Sequence, residues 1–441
     1  LMVLHGYRKF PPGPTIFTKI AKVFRKIFRK INLTLLEKAR ALINNIRNTE
    51  YKTHNAEVLS NLIEDVFTLR RMYDYSKKTS SIVYEAPLEQ MYMKKPQVIG
   101  SISRNLSEGN IVLPKAYISV LNNVTIFGGS NLVVSQDDEL LSDDMVDFHT
   151  EDFGVKSLQV ISLRSKSKAI LRYKKDLNKP IKKGILISCE HDPNYFHWLV
   201  EVLPKILFID QQKDFIDVPL LIPKELHENL IIALERVNIN NHRLIPLEHG
   251  IAYQVDRLIF PSALSRVIDR YKGAAVFDED IILSKKWVSQ VASLLKNNTQ
   301  YNENTWRKIY LTREKGMRAL GNKEEIEEVF TKRDFEIIDL NGWSLDEQIE
   351  LFSETSVVVA PTGAALTNML FCQPGTKIIL FMSNHEVSNY YFWHNLGIIM
   401  ELDLKIIVGK RLFNLTNYWS VHDDYVIDAN LVLEEIDNHE K

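Results

Sequence analysis

Short apolar runs alternate with amphipathic segments through the last third of the chain. Residues 322–330 and 344–353 place apolar side chains at three- and four-residue spacing, which is typical of helices that pack on one face. The runs between them are rich in β-branched residues and too short for helices: 309–311, 335–338, 357–360 and 377–381. Parallel strands covered by helices on both faces have this pattern. We therefore predict a doubly wound α/β domain over residues 276–441.

The same alternation occurs earlier, behind a less regular segment. A helical pattern at 225–236 and another from Asn194 separate a second set of apolar runs: 184–189, 218–223, 243–245 and 257–260. Residues 80 to about 180 instead contain short runs with turn signals between them, which favours β-structure. The strands predicted there are 111–113, 116–120 and 124–129. We expect one domain over residues 80–275, β-rich at first and Rossmann-like afterwards, joined to the last domain by a helix at 278–297.

Residues 1–79 are predicted to form a basic, amphipathic helical arm, with a second helical segment at 55–78. The first 50 residues carry 11 Lys+Arg against 2 Glu, a net +9, although the whole chain has a net charge of −1. Between residues 15 and 47 the apolar and basic side chains fall on opposite faces, a pattern typical of helices that lie on an anionic membrane surface. A helix packed on the rest of the protein, or on a second copy, is the alternative.

Composition narrows the class of protein further. A chain of 441 residues, 45% hydrophobic and 25% charged, suits a globular protein of two or three domains. It has no apolar run of bilayer length and no signal-peptide core, so we expect no transmembrane helix. Only two cysteines, Cys189 and Cys372, favour a reducing cytosol over a disulfide framework. The overall charge gives no nucleic-acid signature.

Two segments that follow predicted strands carry groups suited to an anion. Arg313 and Arg318 come after the run 309–311, and guanidinium groups bind phosphate through paired hydrogen bonds. Gly363 and Ala364 follow another run, where small residues allow close backbone approach and a helix start would direct N–H groups at phosphate. Ligands of doubly wound sheets bind beyond the carboxyl ends of the strands. These segments therefore predict one nucleotide-phosphate site, with surface charges and an ordinary strand-to-helix turn as the alternative.

An acid–base pair is predicted where the strand 184–189 ends. A helix from Asn194 would place His197 and Glu201 four residues apart on one face. This position at the mouth of the sheet is where a general base meets a substrate hydroxyl. We favour His197 slightly as the base, with Glu201 orienting it. A His–Glu hydrogen bond that only secures the helix is the alternative.

Three motifs occur in the order found in a known family. They are Asn194 to Pro204 (NYFHWLVEVLP), Tyr310 to Arg313 followed by Arg318 and Asn322, and Gly363 to Phe371 (GAALTNMLF). In these motifs the chain resembles glycosyltransferase family 61, over about residues 95–435 and in particular its bacterial capsule and polysaccharide enzymes. The resemblance implies a GT-B-like architecture, in which two Rossmann-like domains face each other across a cleft. It also implies inverting transfer from a nucleotide-sugar donor.

The resemblance assigns roles to individual residues of the motifs. The donor and its phosphates would be bound by Arg313, Arg318, Asn322, Thr362, Gly363, Ala364, Thr367 and Asn368. Asn194 and Tyr195 would lie on the acceptor side, next to the catalytic His197 and Glu201. Many members carry a histidine at the position of Thr362, so any role of that histidine is open here. A threonine hydroxyl can still donate to phosphate or ribose.

Metal dependence follows less directly from the residues. Asp278-Glu279-Asp280 matches the Asp-x-Asp pattern that holds Mn or Mg in other sugar transferases, and Asp423-Asp424 is a second candidate. Acidic residues at a helix start also suit the helix dipole without any metal. Because two arginines are available for the diphosphate, we predict no metal ligands and no obligatory cofactor, with Mn or Mg left open.

The predicted function is that of an inverting hexosyl- or pentosyltransferase in cell-surface polysaccharide biosynthesis. It would move a sugar from a nucleotide-sugar donor, with a UDP-sugar as the first candidate, to a hydroxyl of a glycan or lipid-linked glycan. We expect a cytoplasmic protein, held at the inner face of the cytoplasmic membrane by residues 15–47. A nucleotide-sugar epimerase, a pyruvyl transferase and a non-catalytic nucleotide-sugar-binding module of the same fold are the alternatives.

Overall fold

A computed structural model describes most of the chain after the basic arm. The described residues are 63–142, 160–165, 168–175, 180–189, 191–267, 277, 281–297, 299–301, 304–313, 317–412 and 422–437. The membrane-binding segment predicted at 15–47 and the Asp-x-Asp candidate at 278–280 lie outside them. No helix in the described part of the chain is long and apolar enough to cross a membrane.

The described strands are numbered in chain order. They are β1 (Ile63–Arg71), β2 (Ile82–Glu85), β3 (Gln90–Met93), β4 (Gln97–Ile99), β5 (Gly109–Val112), β6 (Tyr117–Phe127), β7 (Val133–Val134), β8 (Glu139–Ser142), β9 (Val160–Ser165), β10 (Lys168–Lys175), β11 (Ile181–Leu186), β12 (Leu220–Pro223), β13 (Leu244–Leu247), β14 (Ile251–Pro261), β15 (Arg266–Val267), β16 (Ile281–Ile282), β17 (Arg307–Leu311), β18 (Glu336–Ile338), β19 (Thr355–Pro361), β20 (Lys377–Ser383), β21 (Asp403–Arg411) and β22 (Tyr425–Val426).

The described α-helices are numbered in the same way. They are α1 (Met72–Lys78), α2 (Tyr195–His197), α3 (Leu203–Ile209), α4 (Glu228–Val237), α5 (Lys285–Lys296), α6 (Lys323–Thr331), α7 (Leu345–Ser353), α8 (Tyr391–Ile399) and α9 (Ala429–Asp437). A π-helical segment, Trp198–Val202, joins α2 to α3, and 3-10 helices occur at Lys213–Phe215 and Ala364–Phe371. The α/β class predicted from the alternating pattern is confirmed, whereas the GT-B arrangement stays a prediction.

The first large sheet combines a parallel half with a closed ring of strands. β13, β12, β11 and β14 pair in parallel in that order, as a Rossmann-like unit requires. From β14 the pairing continues through β10, β1, β8, β7 and β6, and β6 then pairs back with β14. The apolar side chains that these ring strands share form a separate buried cluster, which includes Phe67, Leu69 and Phe127. The β-rich segment predicted before the first domain is therefore barrel-like.

Two predictions about this sheet are wrong. Residues 63–71, predicted as part of a helical segment, form β1, which pairs antiparallel with β10 and parallel with β8. The apolar runs 116–120 and 124–129, predicted as two strands, are continuous in β6. Asn122 and Asn123, which lie between the two runs, are exposed positions within that strand, and Asn123 adopts a positive φ of 52°. Long-range pairing overrides the local turn preference at this point.

The second large sheet has the order β18-β17-β19-β20-β21-β22, with parallel pairing from β18 to β21. The helices predicted at 322–330 and 344–353 are confirmed as α6 and α7. A capping box starts α7, because Ser344 and Glu347 satisfy each other's backbone N–H groups. Since the strands are parallel, Arg313, Thr362 and His385 come after their strands at one carboxyl edge.

One strand of the second sheet comes from the middle of the predicted first domain. β4 pairs in parallel with β21, so residues 97–99 complete a sheet whose other strands begin at residue 307. Arg104 follows this strand and donates a hydrogen bond to the Ser388 carbonyl. The two large sheets are thus connected by more than the α5 segment.

Candidate active site

The Arg313 guanidinium lies against the backbone of the turn after β19. Its Nη1 donates to the Thr362 carbonyl at 3.2 Å, and a Cβ added to Gly363 would lie 3.1 Å from the same atom. Gly363 has an extended φ of 171°, so the close approach of Arg313, and not backbone conformation, favours glycine here. The predicted convergence of Arg313 with the Gly363 turn is therefore present in the structure.

Arg313 is half-buried and forms no ion pair with a carboxylate among the described residues. Burial lowers the pKa of its guanidinium, and the nearby Tyr425 and Asp424 oppose that effect only in part. A positive charge held in such a place is stabilised when an anion binds. This is the strongest electrostatic sign of a ligand site at the sheet edge.

Arg318 lies on the same side of the sheet as Arg313. The positive charges of both guanidinium groups interact with the hydroxyl of Tyr425. Tyr425 is buried, and its hydroxyl donates a hydrogen bond to the Phe381 carbonyl at 2.9 Å. Burial raises the pKa of Tyr425, while the two arginines lower it. Arg318 has a positive φ of 63°, and its backbone N–H donates a hydrogen bond to the His422 carbonyl. The loop 422–424 therefore fixes Arg318 beside the strand that carries Tyr425.

A 3-10 helix, Ala364–Phe371, begins at the turn beside Arg313. Ala364 and Ala365 at its start are exposed, whereas the following residues are buried. The first N–H groups of a helix have no partner within it, and this helix end carries partial positive charge. This is the helix start predicted for the third motif, in a tighter form.

Of three other predicted donor residues, two are hydrogen-bonded within the protein and one is buried. Asn322 binds both backbone groups of Ile427, accepting at 3.2 Å and donating at 2.7 Å. Thr362 accepts a hydrogen bond from Trp393 Nε1 at 2.9 Å. Thr367 is fully buried, and its hydroxyl has no hydrogen-bond partner among the described residues. Ligand contact by these side chains stays a prediction, because each first performs a structural task or lies below the surface.

The predicted acid–base pair is formed. His197 Nδ1 lies 2.5 Å from Glu201 Oε2, and the two side chains are 9% and 16% exposed. Glu201 is an acceptor when ionised, so it binds Nδ1–H and leaves Nε2 with the lone pair that accepts a proton. The His191 ring lies 4.7 Å from the His197 ring. The geometry therefore suits His197 as base and Glu201 as the group that orients it.

Proline explains the irregular helix under this pair. Pro204 has no backbone N–H, so the Val200 carbonyl lacks the hydrogen bond that an α-helix would supply from four residues later. Leu203 N–H instead bonds to the Trp198 carbonyl five residues back, which creates the π-helical segment Trp198–Val202. Such π-bulges are frequent at functional sites. Glu201 lies within this segment.

The acceptor-side predictions have different outcomes. Asn194 is exposed and caps α2, because its side chain accepts from the Phe196 N–H at 3.0 Å. Tyr195 donates from its hydroxyl to Asn368 Oδ1 at 2.8 Å. The predicted acceptor-side and donor-side residues Tyr195 and Asn368 are thus in direct contact.

Sequence reasoning missed a buried charged group below the acid–base pair. Asp192 is fully buried and accepts from the Cys189 N–H at 2.5 Å, while its Oδ2 has no hydrogen-bond partner among the described residues. Burial raises the pKa of Asp192 to about 6. The buried Lys205 ammonium donates to the Ile187 and Ser188 carbonyls at 3.2 and 2.9 Å. Nothing in the sequence marks Asp192 as unusual, because the burial that raises its pKa comes from packing.

No cluster of three or more metal-binding side chains occurs in the part of the chain that the structure describes. At the second metal candidate, Asp423 lies 3.4 Å from Arg411, and Asp424 accepts from the Ala319 N–H at 3.0 Å. Both carboxylates therefore have protein partners. They support the loop that places Arg318.

Comparison with known proteins bears on this same region. A search of curated proteins finds no match to the chain. Residues 195–379 match a family model described as Glycosyltransferase 61. The matched segment starts at Tyr195 and includes the acid–base pair, Arg313 and the Gly363 turn. The match supports a glycosyltransferase of family 61, in agreement with the resemblance of the three motifs.

Proposed function

We propose that the protein is an inverting glycosyltransferase that uses a nucleotide-sugar donor and a glycan hydroxyl as acceptor. Two observations support this proposal. The first is the family match over residues 195–379, and the second is the half-buried Arg313 beside the Gly363 turn. The second observation carries the donor assignment. A guanidinium without an ion-pair carboxylate among the described residues, next to the start of a helix, suits a diphosphate.

In this mechanism the donor diphosphate lies against Arg313, Arg318 and the helix start at Ala364. The bond between the anomeric carbon and the diphosphate oxygen breaks, and its electron pair remains on the diphosphate. Fixed positive groups there stabilise the developing charge without reorganisation at the moment of reaction. Asn322, Thr362 and Thr367 would support this surface from behind.

The acceptor hydroxyl approaches the other face of the donor sugar and loses its proton to His197 Nε2. Its oxygen forms the new bond to the anomeric carbon, so that configuration is inverted. Glu201 keeps the ring in the required tautomer and stabilises the imidazolium that forms, as the carboxylate does in other His–carboxylate pairs.

A screen of nucleotide-sugars tests the proposal. The purified chain would be heated with UDP-, GDP-, CMP- and dTDP-sugars, since a ligand that binds the folded state raises the unfolding midpoint. Sugar transfer to glycan acceptors would then be measured for the stabilising donor, with product anomeric configuration read by NMR. Stabilisation by none of these donors, or a product that retains configuration, would contradict the proposal.

We further propose that turnover requires no metal, because guanidinium groups carry the diphosphate charge. Activity should survive EDTA. Loss of activity in EDTA that added Mn or Mg restores would show that a metal takes part.

The finer setting is also a proposal: synthesis of a cell-surface polysaccharide, with residues 15–47 on the inner face of the cytoplasmic membrane. The +9 charge of the first 50 residues supports it. The full chain should sediment with vesicles that contain anionic phosphatidylglycerol and stay in the supernatant with neutral phosphatidylcholine vesicles. Equal binding to both would contradict electrostatic attachment.

A further inference from the structure

The strongest unexplained contact joins the donor turn to the helix that carries the acid–base pair. The donor turn is residues 362–365, and the acid–base helix is residues 195–202. Tyr195 and Asn368 are 173 positions apart in the chain, yet the Tyr195 hydroxyl lies 2.8 Å from Asn368 Oδ1. We propose that Tyr195 and Asn368 form a positioning pair that couples donor binding at the turn to the alignment of His197.

The direction of each hydrogen bond in this contact is fixed by backbone carbonyls. The Trp343 carbonyl can only accept, so Gln348 presents Nε2 to it at 3.0 Å and Oε1 to Asn368. Asn368 must then direct Nδ2 to Gln348 Oε1 at 2.7 Å and to the Ala365 carbonyl at 3.0 Å. Its Oδ1 consequently faces Tyr195, whose hydroxyl must donate.

Asn368 uses both hydrogens of its amide within the protein. The residue is fully buried, both ends of its amide are bound, and one bond returns to Ala365 of the donor turn. Burial raises the pKa of Tyr195, so the phenol stays neutral and remains a donor. Breaking this network would leave buried polar groups unsatisfied. The hydrogen bonds of the pair therefore hold backbone in place.

A second connection runs in parallel through the next residue. The Phe196 ring lies 5.3 Å from the Trp393 ring and 4.5 Å from the Phe392 ring. Trp393 Nε1 donates to the Thr362 hydroxyl, at the start of the donor turn. Two consecutive residues of the acid–base helix are thus linked to opposite ends of the donor turn, Tyr195 through Asn368 and Phe196 through Trp393, and the next residue is His197.

The consequence concerns catalysis more than binding. A donor that orders residues 362–365 also orders the segment that positions the imidazole. Misplacing a catalytic group by 1 Å costs about 10²-fold in rate. Removal of the Tyr195 hydroxyl should therefore lower kcat by about tenfold or more, while donor KM changes by less than about twofold.

Tyr195→Phe tests this inference, which rests on the proposed function. Tyr173→Phe is the matched control, because it removes a tyrosine hydroxyl that donates to Asp65 within the first sheet. Amide hydrogen exchange would be followed with and without UDP, GDP, CDP and dTDP at millimolar concentration. In the wild type, the binding nucleotide should protect both 363–371 and 195–203. In Tyr195→Phe it should protect only 363–371, and kcat should fall as stated.

The other outcomes separate the two ideas. Protection of both segments in Tyr195→Phe, with kcat unchanged, would overturn the coupling. So would a rise in donor KM that matches the fall in kcat, since Tyr195 would then be a ligand contact. An equal loss of kcat in Tyr173→Phe would indicate a general effect of weaker folding. If no nucleotide protects 363–371 in the wild type, the proposed donor site fails, and the coupling fails with it.

Discussion

Replacing Arg313 by methionine should separate binding from folding. Methionine keeps an unbranched side chain of similar length but removes the charge. The folded protein loses one hydrogen bond, the one to the Thr362 carbonyl. It is also relieved of a buried charge whose pKa burial already lowers. We expect the free energy of unfolding without ligand to change by less than about 1 kcal/mol, or to rise.

The same substitution should weaken donor binding far more than it changes the stability of the free protein. A hydrogen bond to a charged group contributes about 1.5–3 kcal/mol, which corresponds to about 10- to 150-fold in kcat/KM. Part of this loss should be seen as a smaller rise of the unfolding midpoint when the nucleotide is added. The rest should be seen as a lower kcat if Arg313 stabilises the leaving diphosphate. The measurements are unfolding midpoints with and without the donor, and initial rates of transfer.

Arg307 provides a matched control at the other end of the same strand. Its Nε and Nη2 bind Glu336 at 2.8 and 2.6 Å, and this pairing raises the pKa of Arg307. Arg307→Met should lower the unfolding midpoint and leave donor KM unchanged. The reasoning would be refuted if Arg313→Met destabilised the free protein as much as Arg307→Met and left donor binding intact.

Three further predictions concern single residues of the site. His197→Ala should lower kcat by about 10²- to 10⁴-fold, and Glu201→Gln by less, since an amide oxygen still accepts from Nδ1–H; near-complete loss only in Glu201→Gln would reverse the roles. Gly363→Ala should change the free energy of unfolding by less than about 0.5 kcal/mol but displace the Arg313 guanidinium, so donor KM should rise by about tenfold. An unchanged KM would show that the close approach of Arg313 to residue 363 is unimportant. Because burial raises the Asp192 pKa from 3.8 to about 6, its contribution to stability is complete below about pH 3.8 and is lost as the pH rises through about 6. At about pH 8, Asp192→Asn should then be more stable than the wild type by up to about 3 kcal/mol in free energy of unfolding, with a higher unfolding midpoint. The difference should vanish at about pH 4, and a difference that does not change with pH would exclude this titration.

Local patterns were sufficient for much of the second sheet and for the His197–Glu201 pair. The runs before Arg313 and Thr362 are short and β-branched, and the segments between them have helical spacing, with a capping box at the start of α7. Local preference and final structure therefore agree. The distance between His197 and Glu201 follows from spacing along one helix. Such features depend on neighbours within a few residues, which the sequence displays directly.

Tertiary structure decided the rest, because the determining partners are distant in the chain. In β1, Ile63, Val66 and Phe67 have helical spacing, while Phe67 and Leu69 alternate as in a strand. Pairing with β10, about a hundred residues later, selects the strand: Phe67 and Leu69 become buried, and Val66 stays 61% exposed. β4 joins its sheet by pairing with β21, which is about three hundred residues away.

The same reason explains what the sequence did not show at the site. Asn368 is predicted from the sequence as a ligand contact, and folding adds that Tyr195 and Gln348 bind its amide. Asp192 carried no sequence sign of an unusual carboxyl, since its raised pKa comes from burial that only packing creates. Sequence determined which chemical groups were present and where β17 and β19 of the second sheet end. Long-range packing determined which of those groups remain free to meet a substrate.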